Sequence, residues 1–396
     1  MDFALGDEDV AFRAEARAWL EAHFTGDFAG AAGIGGPGSE HEAGDLRLRW
    51  EQELGAGGWI GIGWNEDGFG NRRATLTQQV VWAEEYARSH APARMGHIGE
   101  NLLAPTLIAY GTDAQKERYL PPIARGDELW CQGYSEPGAG SDLASVRTLA
   151  EKDGDGTFRV TGQKIWTSLA QDADWCFVLA RTEKGSTRHH GLSFLLVPMD
   201  QPAGLIDVRP IRQMSGTAEF NEVFFDGARA ESVVGGEGNG WQVAMGLLAL
   251  ERGVSTLVQQ IGFAAELDEV ITTAVSTGAT HDPVLRDRLV RQWAELRTMR
   301  WNALRTLGNA GDPGAPSVAK LLWGGWHQRL GELAMQVRGA GAAVGPADWS
   351  PDHPYQLDAQ QRQFLFTRAD TIYGGSDEIQ RNIIAERVLG LPREPR

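Results

Sequence analysis

Four short segments of this 396-residue chain combine glycines with hydroxyl, aromatic or carboxylate side chains, the residue types that bind and transform polar ligands. The first segment follows a predicted strand and contains Tyr134, Ser135, Gly140 and Ser141. Its proline and glycines favour an irregular loop, whose backbone N–H groups can bind an oxygen-rich ligand. A plain turn between two strands is the alternative explanation of the same residues.

The second segment, residues 162–168, places a tryptophan beside two hydroxyl side chains where another predicted strand ends. Trp166 could cover a flat aromatic ligand while Thr167 and Ser168 hydrogen-bond the polar edge of that ligand. The alternative is that Trp166 packs in the core against its sheet.

The third candidate is a carboxylate in a long helical pattern over residues 240–278. Steps of three and four residues place five side chains on one stripe of this predicted helix: Ala244, Leu248, Glu251, Ser255 and Val258. On that mostly apolar face, burial would raise the pKa of Glu251 towards the range of a general base. An ion pair between Glu251 and a basic side chain of a neighbouring helix is the alternative.

The fourth segment, residues 372–381, joins two predicted helices. Ser376 is expected to cap the second helix, and Gly374 and Gly375 would let the backbone approach a ligand closely. A simple helix–helix turn is the alternative.

The elements that position these segments change character twice along the chain. Helical periodicity dominates residues 1–127, short β-rich runs occupy 128–236, and helical periodicity returns over 237–396. Because no helices separate the predicted strands, they indicate an antiparallel barrel or sandwich rather than βαβ units. The predicted strands are 129–134, 157–167, 175–181, 192–198, 206–211 and 219–225. The sequence therefore predicts an α+β protein with an N-terminal helical domain, a central β domain and a C-terminal helical bundle.

Two helix ends can also be predicted from local chemistry. Thr112 is expected to cap a helix over residues 113–124. Pro121 and Pro122 are expected to end that helix, because proline removes a backbone donor and its ring clashes with the preceding turn.

Composition argues against several classes of function. The chain carries 37 Lys and Arg against 53 Asp and Glu, a net charge of −16, which argues against a nucleic-acid partner. Cys131 and Cys176 are the only cysteines, so neither a disulfide framework nor a thiolate zinc site is expected, and no metal site is predicted. The acidic N-terminus and short apolar runs predict a cytoplasmic protein with no membrane partner. No Gly-x-Gly-x-x-Gly motif opens a helix after a strand, which argues against a Rossmann site.

Taken together and in this order, the four segments resemble the acyl-CoA dehydrogenase family of flavoproteins. The run Tyr-Ser-Glu-Pro-Gly-Ala-Gly-Ser-Asp at 134–142 is similar to the family's flavin loop. Gly-Gln-Lys-Ile-Trp-Thr-Ser at 162–168 is similar to its second flavin segment, and Ile-Tyr-Gly-Gly-Ser-Asp-Glu-Ile-Gln-Arg at 372–381 to its closing motif. The resemblance covers nearly the whole chain and implies a helix–β–helix architecture whose C-terminal domain is a four-helix bundle.

The resemblance implies that the cofactor is FAD. Trp166 would pack on the isoalloxazine, and Thr167 and Ser168 would hydrogen-bond near its reactive edge. The implied FAD-binding residues are Tyr134, Ser135, Gly140, Ser141, Trp166, Thr167, Ser168, Gln336, Gly339, Ser376 and Glu378.

The resemblance also implies separate roles for the last four of these residues. Ser376 and Glu378 would lie by the diphosphate and the adenosine half. Gln336 and Gly339 belong to a run that resembles the family's Gln-x-x-Gly-Gly-x-Gly segment, which reaches FAD from a neighbouring subunit.

The reaction implied by the resemblance is oxidation of an acyl-CoA thioester to its trans-2-enoyl-CoA. Many family members carry the catalytic glutamate where this chain has Gly374, so the usual base is absent. Other members, including isovaleryl-CoA and long-chain types, place it on a helix before an arginine, and Glu251 followed by Arg252 fits that arrangement. Glu251 would abstract the α-proton while flavin N5 takes the β-hydride. Ser141, Arg252, Tyr373 and Gly374 would contact the substrate, and the Gly374 N–H would stabilise the enolate oxygen.

A second departure from the family pattern concerns assembly. Members typically carry Arg-x-x-Phe-Gly after the first long helix of the C-terminal bundle, where it contacts FAD across a dimer, and residues 277–283 lack it. Some bacterial relatives without this motif form mixed tetramers of two related subunits. We therefore expect a homotetramer or a mixed tetramer, with an acceptor such as an electron-transfer flavoprotein.

Two other classes of function are compatible with the same residues. A non-catalytic or half-site subunit of a mixed tetramer would explain Gly374 and the missing arginine motif, whereas Glu251 argues against it. A flavin-dependent oxidase or monooxygenase would share the fold, but such relatives usually place a different residue at the base position. The acyl group stays open: Gly246 and Gly253 would either make room for a bulky or branched chain or serve close helix packing.

Overall fold

The computed structural model describes residues 5–36, 39–251, 255–307, 314–345 and 357–393. Contacts divide the chain into two units, one formed by residues 1–212 with 218–251 and the other by 213–217 with 252–396. Within the described ranges, no helix is both long and apolar enough to cross a membrane. In the same residues, no three His, Cys, Asp or Glu side chains are grouped as metal ligands would be.

The N-terminal part of the first unit is helical. Its helices are α1 (Asp7–His23), α2 (Gly44–Ala56), α3 (Leu76–Arg88), α4 (Ala104–Tyr110) and α5 (Asp113–Arg125). A π-helical turn, Gly99–Leu103, leads into α4. α1 has one apolar face, on which Phe12, Ala16 and Leu20 are buried.

Helix α5 confirms one predicted end and contradicts the other. Its N-cap is Thr112, whose hydroxyl accepts a backbone N–H at 3.2 Å. The expectation that Pro121 and Pro122 end the helix is wrong, because α5 continues past both. Gly126, in the left-handed conformation, closes the last turn by donating its N–H to the Ile123 carbonyl at 3.0 Å.

An open sheet follows the N-terminal helices in the first unit. Its strands are β1 (Trp130–Gly133), β2 (Leu149–Lys152), β3 (Phe158–Ser168), β4 (Trp175–Arg181), β5 (Leu192–Pro198), β6 (Ile206–Ile211), β7 (Phe220–Ala230) and β8 (Ser232–Val234). They are ordered β6-β7-β3-β2-β4-β5-β8, and β1 pairs with β4 beside this path.

The α+β fold class is confirmed, and the topology of the sheet differs in two respects from the expected antiparallel barrel or sandwich. The sheet is not closed, and the pairings of β1 with β4 and of β2 with β4 are parallel. β2 and β4 are paired only at Leu149 and Arg181. Turn signals indicate the pairing of consecutive strands, so parallel neighbours distant in sequence leave no comparable local pattern.

Strands β4 and β5 are buried on both faces, which explains their continuous apolar sequences. Phe177 and Leu179 of β4 lie in a core shared with the helices, whereas Cys176 belongs to a second core. Helix α6 (Gly240–Glu251) packs into the first of these cores through Val243.

The second unit is a helical bundle. Its helices are α7 (Ser255–Ser276), α8 (Pro283–Leu307), α9 (Ala315–Arg338), α10 (Ala359–Phe366) and α11 (Asp377–Ile383). Trp326 and Leu330 of α9 are buried in a core with residues of α7 and α8. Close approach of α10 requires Gly331, where a Cβ would lie 3.1 Å from the Phe364 Cα. The helical pattern over 240–278 corresponds to α6 and α7, and residues 252–254 lie outside the described residues.

Candidate functional site

A buried ion pair fastens the two glycine-containing segments of the first unit together. Lys164 of β3 is fully buried, and its Nζ donates to Glu136 Oε1 at 2.8 Å. The same Nζ donates to the carbonyl oxygens of Tyr134 and Leu179 at 3.0 and 2.8 Å. The loop at 134–142 is therefore held against β3 by this lysine side chain and by a backbone hydrogen bond from the Ile165 N–H to the Ser135 carbonyl at 2.9 Å.

Glu136 completes this polar cluster. Its Oε2 accepts the Arg147 N–H at 2.6 Å, and its Oε1 accepts the Thr148 N–H at 2.9 Å. Burial acts to raise the pKa of Glu136, but the Lys164 ammonium and the hydrogen-bond donors outweigh it and hold that pKa below its usual value. Sequence reasoning gave neither residue of the pair a role. The signal that could have identified Lys164 is its place at an inward position of a strand that alternates buried and exposed residues.

A bulge in β3 turns Trp166 towards the surface. The register between β3 and β7 shifts between Lys164 and Thr167, and Trp166 has a left-handed φ of +62°. Trp166 is 56% exposed and meets Phe220 edge-on, with ring centroids 6.1 Å apart. This exposure excludes the interpretation of Trp166 as a core residue and leaves the indole open to a flat ligand.

Thr167 is buried directly after the exposed tryptophan, and Ser168 is half-buried at the end of β3. Among the described residues, Thr167 Oγ1 and Asn221 Oδ1 are buried without a hydrogen-bond partner. The Asn221 amide donates to the Thr167 carbonyl at 3.1 Å, which holds the two residues together. Because an unsatisfied buried polar group costs about 1–3 kcal/mol, these two atoms are open to a hydrogen bond from a polar ligand edge.

The outer part of the loop at 134–142 is open. Gly140 and Ser141 are exposed, and a Cβ at Gly140 would have no neighbour within 4 Å. Gly140 does not have a left-handed φ, so neither backbone strain nor packing within the chain requires glycine there. Tyr134 and Ser135 lie deeper, and the Tyr134 ring is buried edge-on against Phe177 at 5.8 Å. An open glycine beside a fastened loop fits close approach of a ligand to the backbone.

Helix α6 ends on the predicted catalytic carboxylate. Ala244 is buried and Leu248 packs against the same core, so the described part of the predicted stripe faces inward. Glu251 is the last residue of α6 and lies one helical turn beyond Leu247. The Glu251 side chain and all of Arg252 lie outside the described part of the chain.

Gly246 of α6 serves close packing. A Cβ at this position would lie 2.7 and 2.8 Å from Cε2 and Cζ of Tyr110, and it would also collide with the Tyr110 hydroxyl. Of the two interpretations of Gly246, the aromatic contact therefore supports helix packing rather than room for an acyl chain. Gly253 lies outside the described residues.

Replacing Gly246 by alanine is expected to lower the free energy of unfolding by about 1–3 kcal/mol, because it overpacks α6 against Tyr110. The matched control is Gly262→Ala in α7, where a Cβ would meet no atom within 4 Å. That control is expected to gain about 0.5–1 kcal/mol from the better helix propensity of alanine. Urea unfolding measures both, and equal stabilisation of the two variants would contradict the packing role.

In the second unit, the fourth segment forms a turn before α11. Gly374 and Gly375 have left-handed φ values of +65° and +85°, which explains the paired glycines. The buried Gln380 side chain donates from Nε2 to both glycine carbonyls at 3.2 Å. The Ser376 hydroxyl accepts the Ile379 N–H at 3.4 Å, which confirms the predicted N-cap. Counting only described residues, the Gly374 N–H has no acceptor.

Tyr373 and Glu378 flank this turn. Tyr373 is 38% exposed, and its hydroxyl donates to Asp370 Oδ1 at 2.7 Å. Glu378 is exposed in the first turn of α11, and hydrogen bonds from its own N–H and from Ser376 lower its pKa. The tyrosine is thus tied to the bundle while the glutamate faces outward.

Gln336 and Gly339 lie at the end of α9. Gln336 is exposed, and its Oε1 accepts from Arg288 Nη1 at 2.6 Å. Gly339 is also exposed and follows the helix with a φ of +58°. Both residues are therefore on the surface of the second unit.

The chain matches three domain models of one protein family. Residues 6–127 match acyl-CoA dehydrogenase, N-terminal domain. Residues 131–228 match acyl-CoA dehydrogenase, middle domain, and residues 238–389 match acyl-CoA dehydrogenase, C-terminal domain. The order is that of the three parts expected from the sequence.

Two mycobacterial proteins are similar over nearly their full length. Acyl-CoA dehydrogenase IpdE1 of Mycobacterium tuberculosis is 57% identical over 387 residues, which is 97% of this chain and 98% of the relative. Acyl-CoA dehydrogenase IpdE1 of Mycolicibacterium smegmatis is 54% identical over 395 residues, with 97% and 98% covered.

Solved structures share the fold along the whole chain. The Tcur3481-Tcur3483 steroid ACAD matches with a TM-score of 0.83 at 29% identity and 100% coverage of both chains. The ChsE4-ChsE5 complex from Mycobacterium tuberculosis matches with a TM-score of 0.82 at 29% identity, again with 100% coverage of both chains.

Proposed function

Since the chain belongs to the acyl-CoA dehydrogenase family of FAD-dependent oxidoreductases, we propose that it oxidises an acyl-CoA thioester to the trans-2-enoyl-CoA with Glu251 as the base. The proposal is carried by the residues found at two positions. Helix α6 ends on a glutamate, while the turn before α11 has Gly374 where many relatives carry their acid.

The sequence and burial of α6 support this choice of base. Glu251 is the only ionisable residue of the helix, and its position continues the face that carries Ala244 and Leu247. A carboxylate on such a face would be shielded from bulk water, which would favour removal of a weakly acidic carbon-bound proton.

The described residues of the first unit fit the isoalloxazine of FAD. Trp166 offers an exposed flat surface, Thr167 offers a buried hydroxyl without a partner among the described residues, and Gly140 leaves space beside the backbone. When bound, FAD supplies the acceptor for the hydride from the β-carbon. We assign the diphosphate and adenosine half to Ser376 and Glu378, and contact from a neighbouring subunit to the segment of Gln336 and Gly339.

The protein's own groups handle the proton and the thioester oxygen. The Glu251 carboxylate takes the α-proton, and negative charge then develops on the carbonyl oxygen. The Gly374 N–H, which has no acceptor within the described residues, donates to that oxygen. We assign Ser141, Arg252 and Tyr373 to substrate contacts.

We further propose that the acyl group is bulky and polycyclic and that an electron-transfer flavoprotein takes the electrons. Support for the acyl group comes from the structural neighbour named as a steroid ACAD. The Tyr110 ring occupies the space beside Gly246. A large acyl group would therefore have to lie against residues of α6 other than Gly246.

A mixed assembly with a related chain is the second part of the proposal. The two structural neighbours carry names that each join two components, Tcur3481-Tcur3483 and ChsE4-ChsE5. In the second unit, one face of α8 exposes Val290, Trp293 and Trp301, which are 59%, 47% and 56% exposed. Large aromatic side chains exposed at this spacing on one helix favour a protein partner.

Replacing Trp293 and Trp301 together by serine is expected to weaken subunit assembly. The chain should stay folded with some loss of stability, because about half of each indole is buried within it. Light scattering of the gel-filtered protein, alone and co-expressed with a related chain, measures this. Val275→Ser on α7, at a residue 63% exposed, is the control. An unchanged assembly in the double variant would exclude the α8 face.

The proposed function is tested by the visible spectrum of the chain expressed alone, followed anaerobically while acyl-CoAs of increasing bulk are added. Bound flavin that loses its colour with a thioester supports a self-sufficient dehydrogenase. A colourless chain that gains flavin and activity only with a related chain supports the mixed assembly. Bound flavin that no thioester reduces contradicts dehydrogenation by this chain.

A further inference from the structure

A buried ionic cluster lies behind the turn that contains Tyr373 and Gly374. His327 of α9 is 6% exposed and hydrogen-bonds through Nδ1 to Asp370 Oδ2 at 2.7 Å. Through Nε2 it bonds Glu266 Oε2 of α7 at 2.6 Å. Because both acceptors are carboxylates, both ring nitrogens act as donors and the imidazole is held as a cation.

The surroundings of His327 stabilise this charge. Burial alone would lower the pKa of His327, but the hydrogen bonds and charges of Asp370 and Glu266 raise it to about 9. The other polar groups of the cluster are Gln363 of α10, which donates to Glu266 Oε2 at 2.6 Å, and Lys320 of α9, which donates to the Asp370 carbonyl.

Asp370 connects the cluster to the turn. Its Oδ1 accepts from the Tyr373 hydroxyl at 2.7 Å, while its Oδ2 faces His327. The Lys320 ammonium lies over the Tyr373 ring, 4.7 Å from the ring centroid. A Cβ at Gly374 would lie 3.7 Å from Lys320 Cε, so the backbone of the turn packs directly over this lysine. The turn therefore rests on buried charged groups.

We propose that His327 and Asp370 are positioning residues for the Gly374 N–H, an inference that rests on the proposed function. His327 fixes the rotamer of Asp370, and Asp370 fixes Tyr373, so the Gly374 N–H next to it keeps one direction. Donors of this kind lower a barrier only when they already point to the place where charge develops. A misplacement of 1 Å can cost about 100-fold in rate.

The test compares His327→Gln with Arg329→Gln in the full chain, assembled as the wild type is. Glutamine can bond one carboxylate but carries no charge. Arg329 lies on the same helix, and its ion pair with the exposed Glu295 leaves the cluster intact. Backbone amide exchange over residues 370–376 is measured together with kcat and KM for the acyl-CoA that reduces the wild-type flavin.

We expect H327Q to retain flavin, to exchange these amides faster, and to lose about 10- to 100-fold in kcat with little change in KM. R329Q is expected to match the wild type. Exchange and kcat in H327Q equal to those of R329Q would overturn the proposal. Should no acyl-CoA reduce the wild-type flavin, the proposed function fails, and amide exchange still decides whether the cluster holds the turn.

A pH series tests the charge on His327, because a side chain that only packed there would cause no change of kcat or stability with pH. The pKa of His327 is raised from 6.5 to about 9, so its contribution to stability is complete below pH 6.5 and is lost as the pH rises through about 9. Wild-type kcat and thermal stability should therefore decline towards pH 9, and H327Q should lack this alkaline decline. The same decline in both proteins would contradict the role of His327.

If H327Q does not fold, Tyr373→Phe replaces it. This variant removes only the hydrogen bond from the phenol to Asp370, at a residue that is partly exposed. Because Tyr373 is also assigned to the substrate, amide exchange without substrate decides this test: faster exchange over residues 370–376 supports the positioning role, and unchanged exchange overturns it.

Discussion

Replacing Glu251 by glutamine is expected to leave flavin bound and to lower kcat by about 100- to 10,000-fold, because an amide cannot take the α-proton. Turnover is measured with the flavin content fixed from the visible spectrum. Glu237→Gln is the matched control, since Glu237 is an exposed carboxylate shortly before α6 that pairs with Lys152 at 2.8 Å. Turnover near the wild-type level in E251Q would exclude Glu251 as the base.

A second variant asks whether a carboxylate at the other family position can replace Glu251. Gly374→Glu in the E251Q background is expected to recover part of the lost turnover. The nearest atom to an added Cβ is Lys320 Cε at 3.7 Å, so there is space for the side chain. The left-handed φ of +65° limits the recovery, since a non-glycine residue there costs about 1–2 kcal/mol. Absence of any recovery with flavin retained would argue against exchangeable base positions.

Replacing Lys164 by methionine is expected to lower the free energy of unfolding by about 3–5 kcal/mol, because it leaves the buried Glu136 carboxylate without its cation. The variant should also release flavin, since this lysine joins the loop at 134–142 to β3. Urea unfolding and the flavin-to-protein ratio after gel filtration measure the two effects.

Matched variants separate the buried charge from other effects of the substitution. Lys152→Met removes an exposed pair with Glu237 and should cost no more than about 1 kcal/mol. Adding Glu136→Gln to Lys164→Met should recover part of the stability, because it removes the buried charge, while the single amide oxygen still accepts one of the Arg147 and Thr148 N–H groups. A loss in K164M equal to that in K152M would contradict the importance of the buried pair.

Much of the middle sheet could be predicted from the sequence, and the strands that the prediction missed share a physical cause. The predicted strands 175–181, 192–198 and 206–211 coincide with β4, β5 and β6. β2 and β8 were missed because they have four and three residues, and most of β2 is exposed. Such short segments become strands through their pairing partners, so they carry little periodicity of their own.

The candidate site likewise has parts that the sequence predicts and parts that it does not. Loop and cap chemistry is local, so the sequence indicated the turns at residues 134–142 and 372–381 and the Ser376 cap. The ionic pairs that hold these turns are non-local. Lys164 and Glu136 are 28 residues apart, and His327 and Asp370 are 43 apart. Both separations are longer than any single helix or strand among the described residues, so only the folded chain brings these partners together.

The order of strands divides the sheet of the first unit into two halves that meet along a seam between β2 and β4. The ladder across this seam is a single residue pair, Leu149 with Arg181. Trp166 lies in the half formed by β6, β7, β3 and β2, while the loop at 134–142 follows β1 in the other half. Beyond that pair, Lys164 crosses the seam to Leu179 and Glu136, and the Ile165 N–H donates to the Ser135 carbonyl at 2.9 Å. The spacing between the indole and the loop therefore depends on a few side-chain and backbone hydrogen bonds rather than on a continuous ladder. Any shear between the two halves would act first on these few hydrogen bonds and so on the spacing between the indole and the loop.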